Sequence, residues 1–279
     1  MSKKSIVLFD MDGTLTPARL PASGRMGTYL AKLSKHTKIG IVTGSDFDYL
    51  NQQCKNLWNG RSTVSPENII LLPCNGTKFY NWDDGEWKIQ AESSMRVKLG
   101  DSDFQFLMKT LITSQFTHAS LNTGMPLTGH FISYRDSMIN WCPIGRNANN
   151  EQRRVFVDWD KETGMREKAA NKLRNIIDNA VGENKITFAL GGNTSLDIYP
   201  TGWDKTYALG YFPGYECWFV GDRCEENGND KAIYDALCST GRSFKTDNPE
   251  MTMEIIDQII GRMHAPTDTW KNAVSIDME

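Results

Sequence analysis

The chain has 279 residues, of which 39% are hydrophobic, and this length suits two modest domains or one domain with a large insertion. Thirty-one basic against thirty-four acidic side chains give a formal net charge of -3 without any Lys/Arg block, so we expect no nucleic-acid partner. The apolar run SIVLF near the start is too short for a signal peptide or membrane span, and six cysteines without a CxxC pair favour reduced thiols, so we expect a cytoplasmic protein without a membrane partner.

The first part of the chain has the pattern of a parallel α/β layer. Continuous apolar runs predict buried strands at SIVLF (5–9), KIGIV (38–42) and NIILL (68–72). Between the first two, residues Met26, Leu30 and Leu33 recur at helical spacing. The order strand, loop, helix, strand favours helices packed on a parallel sheet.

From about Asn81 the pattern changes to that of an α+β block, which begins with the turn NWDDGEW. The stretch DSDFQFLMKTLITSQF predicts a helix with one apolar face, formed by Phe104, Leu107, Met108, Leu111 and Ile112. A second such face is formed by Met165, Ala169, Leu173, Ile176 and Ala180, and Gly182 is a plausible helix stop. The stretches HFISYRDSMINW, KITFAL and LDIYP predict short strands.

The α/β pattern returns after GWDK, with a strand at CWFVGD, a helix over 232–237, a short strand over 242–244 and a helix introduced by Pro249. We therefore predict an α/β fold with a Rossmann-like core of residues 1–81 and 204–279. An inserted α+β domain of residues 82–203 interrupts this core. The segment after Gly261 has no strong periodic face and is expected to be a polar tail.

Two carboxylates, Asp10 and Asp12, directly follow the first predicted strand in the stretch FDMDGTLTP (9–17). Ligands of open α/β sheets bind at the carboxyl ends of the strands. Two like charges this close repel each other unless a cation such as Mg²⁺ or a proton shares the site. The plain alternative is a turn in which one aspartate caps the following segment.

The same stretch resembles the first signature of the haloacid dehalogenase (HAD) superfamily of phosphotransferases, and residues 4–244 resemble eukaryotic-type phosphomannomutases. Six stretches in family order carry this resemblance: FDMDGTLTPAR, GSDFDYL, NGTKFY, YRDSMINWCPIGR, GGNTSLDIYPTGWDKTY and FVGDRCEENGNDKAIY. The resemblance implies a HAD-like core with an inserted cap domain that determines substrate specificity. It also implies an isomerase that interconverts mannose 6-phosphate and mannose 1-phosphate, with a hexose 1,6-bisphosphate as intermediate and activator, and so supplies GDP-mannose synthesis.

The resemblance assigns the chemistry of phosphoryl transfer to particular residues. Asp10 is the nucleophile that becomes a phosphoaspartate, Asp12 is the general acid/base, and Lys205 neutralises the transferring group. The phosphate is cradled after the strand KIGIV by Thr43, Ser45 or both, where hydroxyl and backbone N–H groups are available to an anion. Lys205 could instead be an ordinary surface residue.

By the same resemblance, Mg²⁺ is bound by the Asp10 side chain, the backbone carbonyl of Asp12 and Asp222, which ends the strand WFVGD. Asn229 and Asp230 are possible outer ligands of the ion, and a role in a local turn is the alternative for them and for Asp222. A second, structural cation site of the family is doubtful here, because Ala236 stands where an aspartate is usual.

The inserted domain supplies arginines that match substrate-binding positions of the family, and bidentate guanidinium groups suit a phosphate that must be held without reacting. These positions are Arg135, Arg146 and Arg153, with Arg19 added from the core. Ser195 and Asp197 match positions that hydrogen-bond the sugar and its phosphate. For any single arginine, the alternative is a solvated surface position. For Ser195 and Asp197, the alternative is a purely structural role in a strand or turn.

Two other classes of function stay open. A sugar-phosphate phosphatase of the same fold would share Asp10, Asp12, Lys205 and Asp222, but it would not need the three arginines of the insertion together. A catalytically silent sugar-phosphate-binding protein would not need the two aspartates of the opening stretch. The expected partners are a sugar monophosphate and a second copy of the chain, since the family commonly dimerises through its cap domains.

Overall fold

The computed structural model describes residues 4–59, 63–121 and 124–264. The chain divides into a core unit, Met1–Ala91 with Asp204–Glu279, and an inserted unit, Glu92–Trp203. Most of the predicted polar tail, residues 265–279, lies outside the described residues. Within those described residues, no helix is long and apolar enough to cross a membrane.

The core unit takes its elements from both ends of the chain. Its first part contains β1 (Ser5–Phe9), α1 (Gly24–Leu33), β2 (Lys38–Val42), α2 (Phe47–Cys54), β3 (Ile69–Leu72), β4 (Lys78–Asp83) and β5 (Glu86–Glu92). The inserted unit follows with α3 (Met95–Leu99), α4 (Asp101–Leu121), β6 (Ile132–Tyr134), β7 (Ile139–Trp141), α5 (Asn150–Thr163), α6 (Met165–Val181), β8 (Ile186–Gly191) and β9 (Ser195–Pro200). The core unit is completed by β10 (Glu216–Gly221), α7 (Lys231–Cys238), β11 (Ser243–Lys245) and α8 (Pro249–His264).

The core unit is built on a seven-stranded sheet with the order β11-β10-β1-β2-β3-β4-β5. The neighbours from β11 to β3 run parallel, and β4 is antiparallel to β3. Since the parallel strands are apolar on both faces, alternate residues supply two buried layers. Val7, Phe9 and Ile41 belong to the layer that includes α1 and α8, whereas Leu8 and Phe219 belong to the layer that includes α7. The predicted α/β class is confirmed by this sheet.

The inserted unit is built on a four-stranded antiparallel sheet with the order β6-β7-β9-β8. Ile139, Trp141, Leu196 and Ile198 alternate along the two central strands and pack into one apolar cluster with residues of α4 and α6. The residues between them, including Asn140 and Asp197, therefore point to the opposite face of the sheet. That opposite face is where polar side chains can meet.

The division of the structure falls later in the chain than the boundary expected at residue 82. The stretch NWDDGEW does contain a turn, at Asp84 and Gly85, which both have positive φ. The turn joins β4 to β5, and this hairpin adds two strands to the core sheet. Residues 82–91 therefore belong to the core unit rather than to the insertion.

Candidate active site

Three polar side chains follow the carboxyl ends of neighbouring parallel strands in the core unit. Asp10 follows β1, Thr43 follows β2 and Asp222 follows β10. The strands are in register at this edge, where Phe9 pairs with Val220 on one side and with Ile41 on the other. The order of the strands thus brings together residues that lie far apart in the sequence.

A buried ion cluster forms around Lys205, whose side chain is fully inaccessible to solvent. Its ammonium group donates to Oδ1 of Asp10 and to Oδ1 of Asp230, the latter at 2.5 Å. The other oxygen of Asp230, Oδ2, accepts from the backbone N–H of Arg223 at 3.0 Å. Lys205 is therefore not a surface residue, and a single cation serves two buried carboxylates.

The protonation of this cluster reflects its burial. Burial raises the pKa of Asp10 well above its usual range, and Asp230 and Asp222 add to the rise while Lys205 opposes it. Burial, followed by the charge of Asp230, raises the pKa of Asp222 to about 6. Burial alone would lower the pKa of Lys205, but the carboxylates of Asp10 and Asp230 outweigh it and raise that pKa. The site thus holds more carboxyl groups than one ammonium group can neutralise.

Three carboxylates lie close enough together to share a divalent cation. Asp10, Asp222 and Asp230 each offer an oxygen, and these oxygens lie within 4.8 Å of one another. Oδ1 of Asp222 and Oδ1 of Asn229 are buried without a hydrogen-bond partner. Hard oxygen donors are what Mg²⁺ prefers, so the residues present fit this ion. Asp230, expected only as an outer ligand, lies in the same cluster as Asp10 and Asp222.

The turn after β1 leaves space for this cluster. Gly13 has a φ of +85°, and a Cβ atom placed there would lie 2.4 Å from Oδ2 of Asp222. The position thus needs glycine both for its backbone conformation and for the approach of the carboxylate.

Asp12, the expected general acid/base, is anchored by the backbone rather than by a cation. Its Oδ1 accepts from the N–H of Arg19 at 2.9 Å. Burial raises the pKa of Asp12, although the N–H of Arg19 opposes this effect. A carboxyl group with a raised pKa is suited to exchanging a proton near neutral pH. Arg19 itself is exposed and has a φ of +64°, so the structure links it to Asp12 through its main chain.

The loop that follows β2 is fixed to the loop that follows β3. Thr43 is buried, and its Oγ1 accepts from the N–H of Ser45 at 3.2 Å. The carbonyl oxygens of Thr43 and Ser45 accept from the N–H groups of Asn75 and Cys74, each at 2.8 Å. Both residues expected to cradle a phosphate are thus held at the carboxyl edge of the sheet.

A second polar group lies on the face of the inserted sheet that is opposite to its helices. Asn140 of β7 and Asp197 of β9 are cross-strand partners, and the Nδ2 of Asn140 donates to Oδ1 of Asp197 at 2.7 Å. Nη1 of Arg146 donates to Oδ1 of Asn140 at 2.9 Å. The structure thereby connects two expected substrate residues, Arg146 and Asp197, through a residue that the sequence did not indicate.

The remaining expected substrate residues lie on separate elements of the inserted unit. Arg135 is buried in the tight turn between β6 and β7, and its N–H donates to the carbonyl of Met138 at 2.8 Å. Arg153 lies in the first turn of α5. Ser195 begins β9, and its hydroxyl donates to the carbonyl of Gly191 at 3.1 Å.

Asn140 and Arg166 are the polar residues of the inserted unit that sequence reasoning missed. Arg166 pairs with Oδ2 of Asp160 at 2.7 Å and donates to the carbonyls of Gly192 and Ser195 at 3.0 and 3.3 Å. It therefore fixes the turn that precedes β9. Asn140 carried one signal in the sequence, since it is a polar residue between two apolar ones in the short strand INW.

Comparison of the sequence with those of known proteins identifies a family and several relatives. Residues 26–262 match the family described as eukaryotic phosphomannomutase. A phosphomannomutase of Solanum lycopersicum is 33% identical over 252 residues, covering 89% of this chain and 91% of the relative. One of Schizosaccharomyces pombe is 34% identical over 260 residues, covering 92% and 94%. A probable phosphomannomutase of Caenorhabditis elegans is 32% identical over 266 residues, covering 93% and 96%.

Solved structures with low sequence identity to this chain have a similar fold. The N-terminally truncated, IMP-bound IMP-nucleotidase of Plasmodium falciparum superposes with a TM-score of 0.64 at 16% identity, covering 92% of this chain and 68% of that one. A trehalose-6-phosphate phosphatase of Aspergillus fumigatus does so with a TM-score of 0.50 at 19% identity, covering 92% of both chains. Both superpose over most of this chain, and the mixed α/β fold with a parallel core sheet predicted from the sequence is confirmed.

Proposed function

The chain belongs to the eukaryotic phosphomannomutase family, and from this premise we propose that it interconverts mannose 6-phosphate and mannose 1-phosphate through a phosphoaspartate at Asp10. The observation that carries the proposal is the buried contact between Lys205 and Asp10 at the carboxyl edge of the sheet, beside Asp222 and Asp230. A nucleophilic carboxylate with an adjacent buried cation suits the transfer of an anionic group.

In the proposed reaction, an oxygen of Asp10 attacks the phosphorus of a hexose 1,6-bisphosphate, and the bond between phosphorus and the sugar oxygen breaks. Asp12 gives its proton to the departing sugar oxygen. For transfer in the other direction, Asp12 takes the proton of the sugar hydroxyl as that oxygen attacks the phosphoaspartate. Lys205 offsets negative charge at Asp10 throughout, and Thr43 and Ser45 hold the transferring phosphoryl group.

Mg²⁺ is the proposed cofactor, with Asp10, the carbonyl of Asp12 and Asp222 as its ligands and with Asn229 and Asp230 beside them. The unpartnered oxygens of Asp222 and Asn229 support this assignment. The chemistry that the ion supplies when bound is neutralisation of charge on the phosphoryl oxygens.

A mutase must hold two phosphates, one at Asp10 and one that does not react. We assign the second to Arg135, Arg146 and Arg153 with Arg19, and the sugar to Ser195 and Asp197. The contact of Arg146 with Asn140, which also binds Asp197, supports a common site for the phosphate and the sugar. The bisphosphate would turn over between the two transfers, so that each of its phosphates faces Asp10 once.

The proposed assembly is a homodimer formed through the inserted units. Ile112 and Phe116 lie one helical turn apart on α4 and are 59% and 72% exposed. Exposed apolar side chains at this spacing are typical of an interaction surface. The strand β6 is at an edge of its sheet, where another chain can pair with it.

A cytoplasmic location and a supply of mannose 1-phosphate for GDP-mannose synthesis complete the proposal. All six cysteines lie in the described part of the chain, and they are free thiols. Free thiols are what a reducing compartment maintains, which supports the cytoplasm.

The decisive experiment incubates the protein with Mg²⁺, mannose 1-phosphate and a trace of hexose 1,6-bisphosphate, and follows mannose 6-phosphate and inorganic phosphate together. We expect mannose 6-phosphate as the main product. Predominant release of inorganic phosphate would instead identify a phosphatase, and no turnover would favour a binding protein. The Asp10→Asn variant should form no phosphoenzyme, and full isomerase activity in it would contradict the proposed nucleophile.

A further inference from the structure

Asn140 uses both halves of its side-chain amide in the inserted unit. The side chain is 4% exposed, its Nδ2 donates to Oδ1 of Asp197 at 2.7 Å, and its Oδ1 accepts from Nη1 of Arg146 at 2.9 Å. A carboxylate can only accept and a guanidinium group can only donate, so these two neighbours fix the orientation of the amide.

The position of Asp197 is restricted from a second side. A Cβ atom on Gly191 would lie 2.6 Å from Cγ of Asp197, so the carboxyl group lies directly against the backbone of β8. Since β7 and β8 pair with β9 from its two sides, Asp197 is held between Asn140 and Gly191. Arg146 contacts this arrangement through the same amide.

We propose that Asn140 is a positioning residue of the substrate site, whose amide fixes the Arg146 guanidinium and the Asp197 carboxylate relative to each other. The inference rests on the proposed function, in which these two residues bind the unreactive phosphate and the sugar. An amide is suited to this role because it is neutral and bonds both groups. An aspartate at the same position would pair with Arg146 and repel Asp197.

The first test compares Asn140→Leu with the wild type. Leucine has a similar size but makes neither hydrogen bond. The Arg146 guanidinium and the Asp197 carboxylate are then no longer held relative to each other. We expect the KM for mannose 1-phosphate to rise about 10- to 100-fold, because small misplacements of binding groups cost factors of this order. The kcat should change much less, since the groups at Asp10 are not touched.

The matched control is Asn171→Leu, which breaks a hydrogen bond between an asparagine and an arginine, Arg174, on the exposed surface of α6. Its KM should equal that of the wild type. A second variant, Asn140→Asp, retains an acceptor for Arg146 and serves where leucine prevents folding. Its KM should also rise, and the rise should be larger at pH 8 than at pH 5, where the new carboxyl group is more often protonated.

Binding without turnover separates this inference from the proposed function. The Kd of mannose 1-phosphate is measured by calorimetry in the Asp10→Asn protein with and without Asn140→Leu, and we expect it to rise about tenfold or more with the second change. A wild type that releases only inorganic phosphate would defeat the proposed function, while the Kd comparison would still decide the role of Asn140. An unchanged Kd in a folded variant, or a loss confined to kcat, would overturn the inference.

A double-mutant cycle tests whether Asn140 acts through Arg146. Asn140→Leu and Arg146→Lys are combined, and the effects on KM are compared with those of the single changes. We expect the second change to add much less than it does alone, because residues in one hydrogen-bond network are not independent. Fully multiplicative effects would contradict a role through Arg146.

Discussion

The ammonium group of Lys205 lies 2.5 Å from Oδ1 of Asp230 although 25 residues separate the two in the sequence. The same group bonds Asp10, so that its loss would leave two buried carboxylates without their cation. In this respect the candidate active site also contributes to the stability of the core unit.

We therefore expect Lys205→Met to lower the free energy of unfolding by about 3–5 kcal/mol, because breaking a buried pair leaves an uncompensated charge. Urea unfolding in the presence of EDTA measures this effect without a bound cation. Lys231→Met is the control, since Lys231 pairs with Asp235 only on the surface of α7 and its loss should change the stability little. Equal effects of the two changes would show that the buried cluster does not stabilise the fold.

Gly13→Ala should weaken Mg²⁺ binding. Its Cβ would lie 2.4 Å from Oδ2 of Asp222, and we expect the Mg²⁺ concentration for half-maximal activity to rise about 10- to 100-fold, as for other displaced metal ligands. The positive φ of this position should also cost about 1–3 kcal/mol of stability.

Gly85→Ala isolates the cost of the backbone. Gly85 has a similar φ of +82°, but nothing lies within 4 Å of a Cβ placed there. The Gly85→Ala variant should lose stability as Gly13→Ala does. Its Mg²⁺ concentration for half-maximal activity should equal that of the wild type. If both variants required the same Mg²⁺ concentration as the wild type, Asp222 would not be a ligand.

The inserted unit should lose stability as the pH falls below neutrality, because His118 is poorly accommodated as a cation. Burial, followed by the charge of Lys172, lowers the pKa of His118 from its ordinary value. In the unfolded chain this group titrates at about pH 6.5, so its contribution to stability is intact above that pH and is lost as the pH falls from there through the lower pKa of the folded protein. The free energy of unfolding of His118→Gln should therefore depend less on pH between 7.5 and 5 than that of the wild type.

Lys172→Met provides an independent check on the same histidine. Without the neighbouring ammonium group, the pKa of His118 should move upward, and NMR titration of the imidazole signals measures it directly. Parallel pH profiles for the wild type and His118→Gln, together with an unmoved pKa in Lys172→Met, would contradict this account.

Phe116→Asp should convert the proposed dimer into a monomer. Phe116 is 72% exposed on α4, and a carboxylate at the centre of an apolar interface is costly to bury. Sedimentation at micromolar concentration should give half the mass of the wild type. Val97→Asp is the control, because Val97 is 83% exposed on α3 and should tolerate the change without dissociation. A wild type that sediments as a monomer would refute the dimer itself.

The sequence predicted the parallel core strands well because each is a continuous apolar run bounded by polar residues. It did not predict β4 and β5, since their half-exposed residues lack a clear alternation and only the turn at Asp84 and Gly85 was evident. The helix faces were predicted in part. Ile176 was expected in the core but is exposed, because Ile177 beside it takes the buried position. Two adjacent apolar residues allow two rotations of a helix, and tertiary packing decides between them.

The candidate site could likewise be predicted only where a local sequence pattern marks its residues. Asp10 and Asp12 could be found because they closely follow a recognisable strand, and Asp222 because it ends another predicted strand and matches a family stretch. The contact between Asn140 and Asp197 depends on the register between β7 and β9, which no local pattern specifies. Arg166 could not be found for a similar reason. It donates to the backbone carbonyls of Gly192 and Ser195, which are distant in the sequence and which any residue type would offer.

The pairing of β1 with β10 has a consequence for biosynthesis. Ser5 of β1 pairs with Glu216 of β10. During translation this pairing can therefore form only after the ribosome has added more than two hundred further residues. The inserted unit is contiguous in the sequence, Glu92–Trp203, and it is complete before β10 emerges. At about 5–20 residues per second, the nascent chain exposes an unfinished apolar sheet for many seconds. We expect the insertion to fold first and the early core strands to be the segments that chaperones shield.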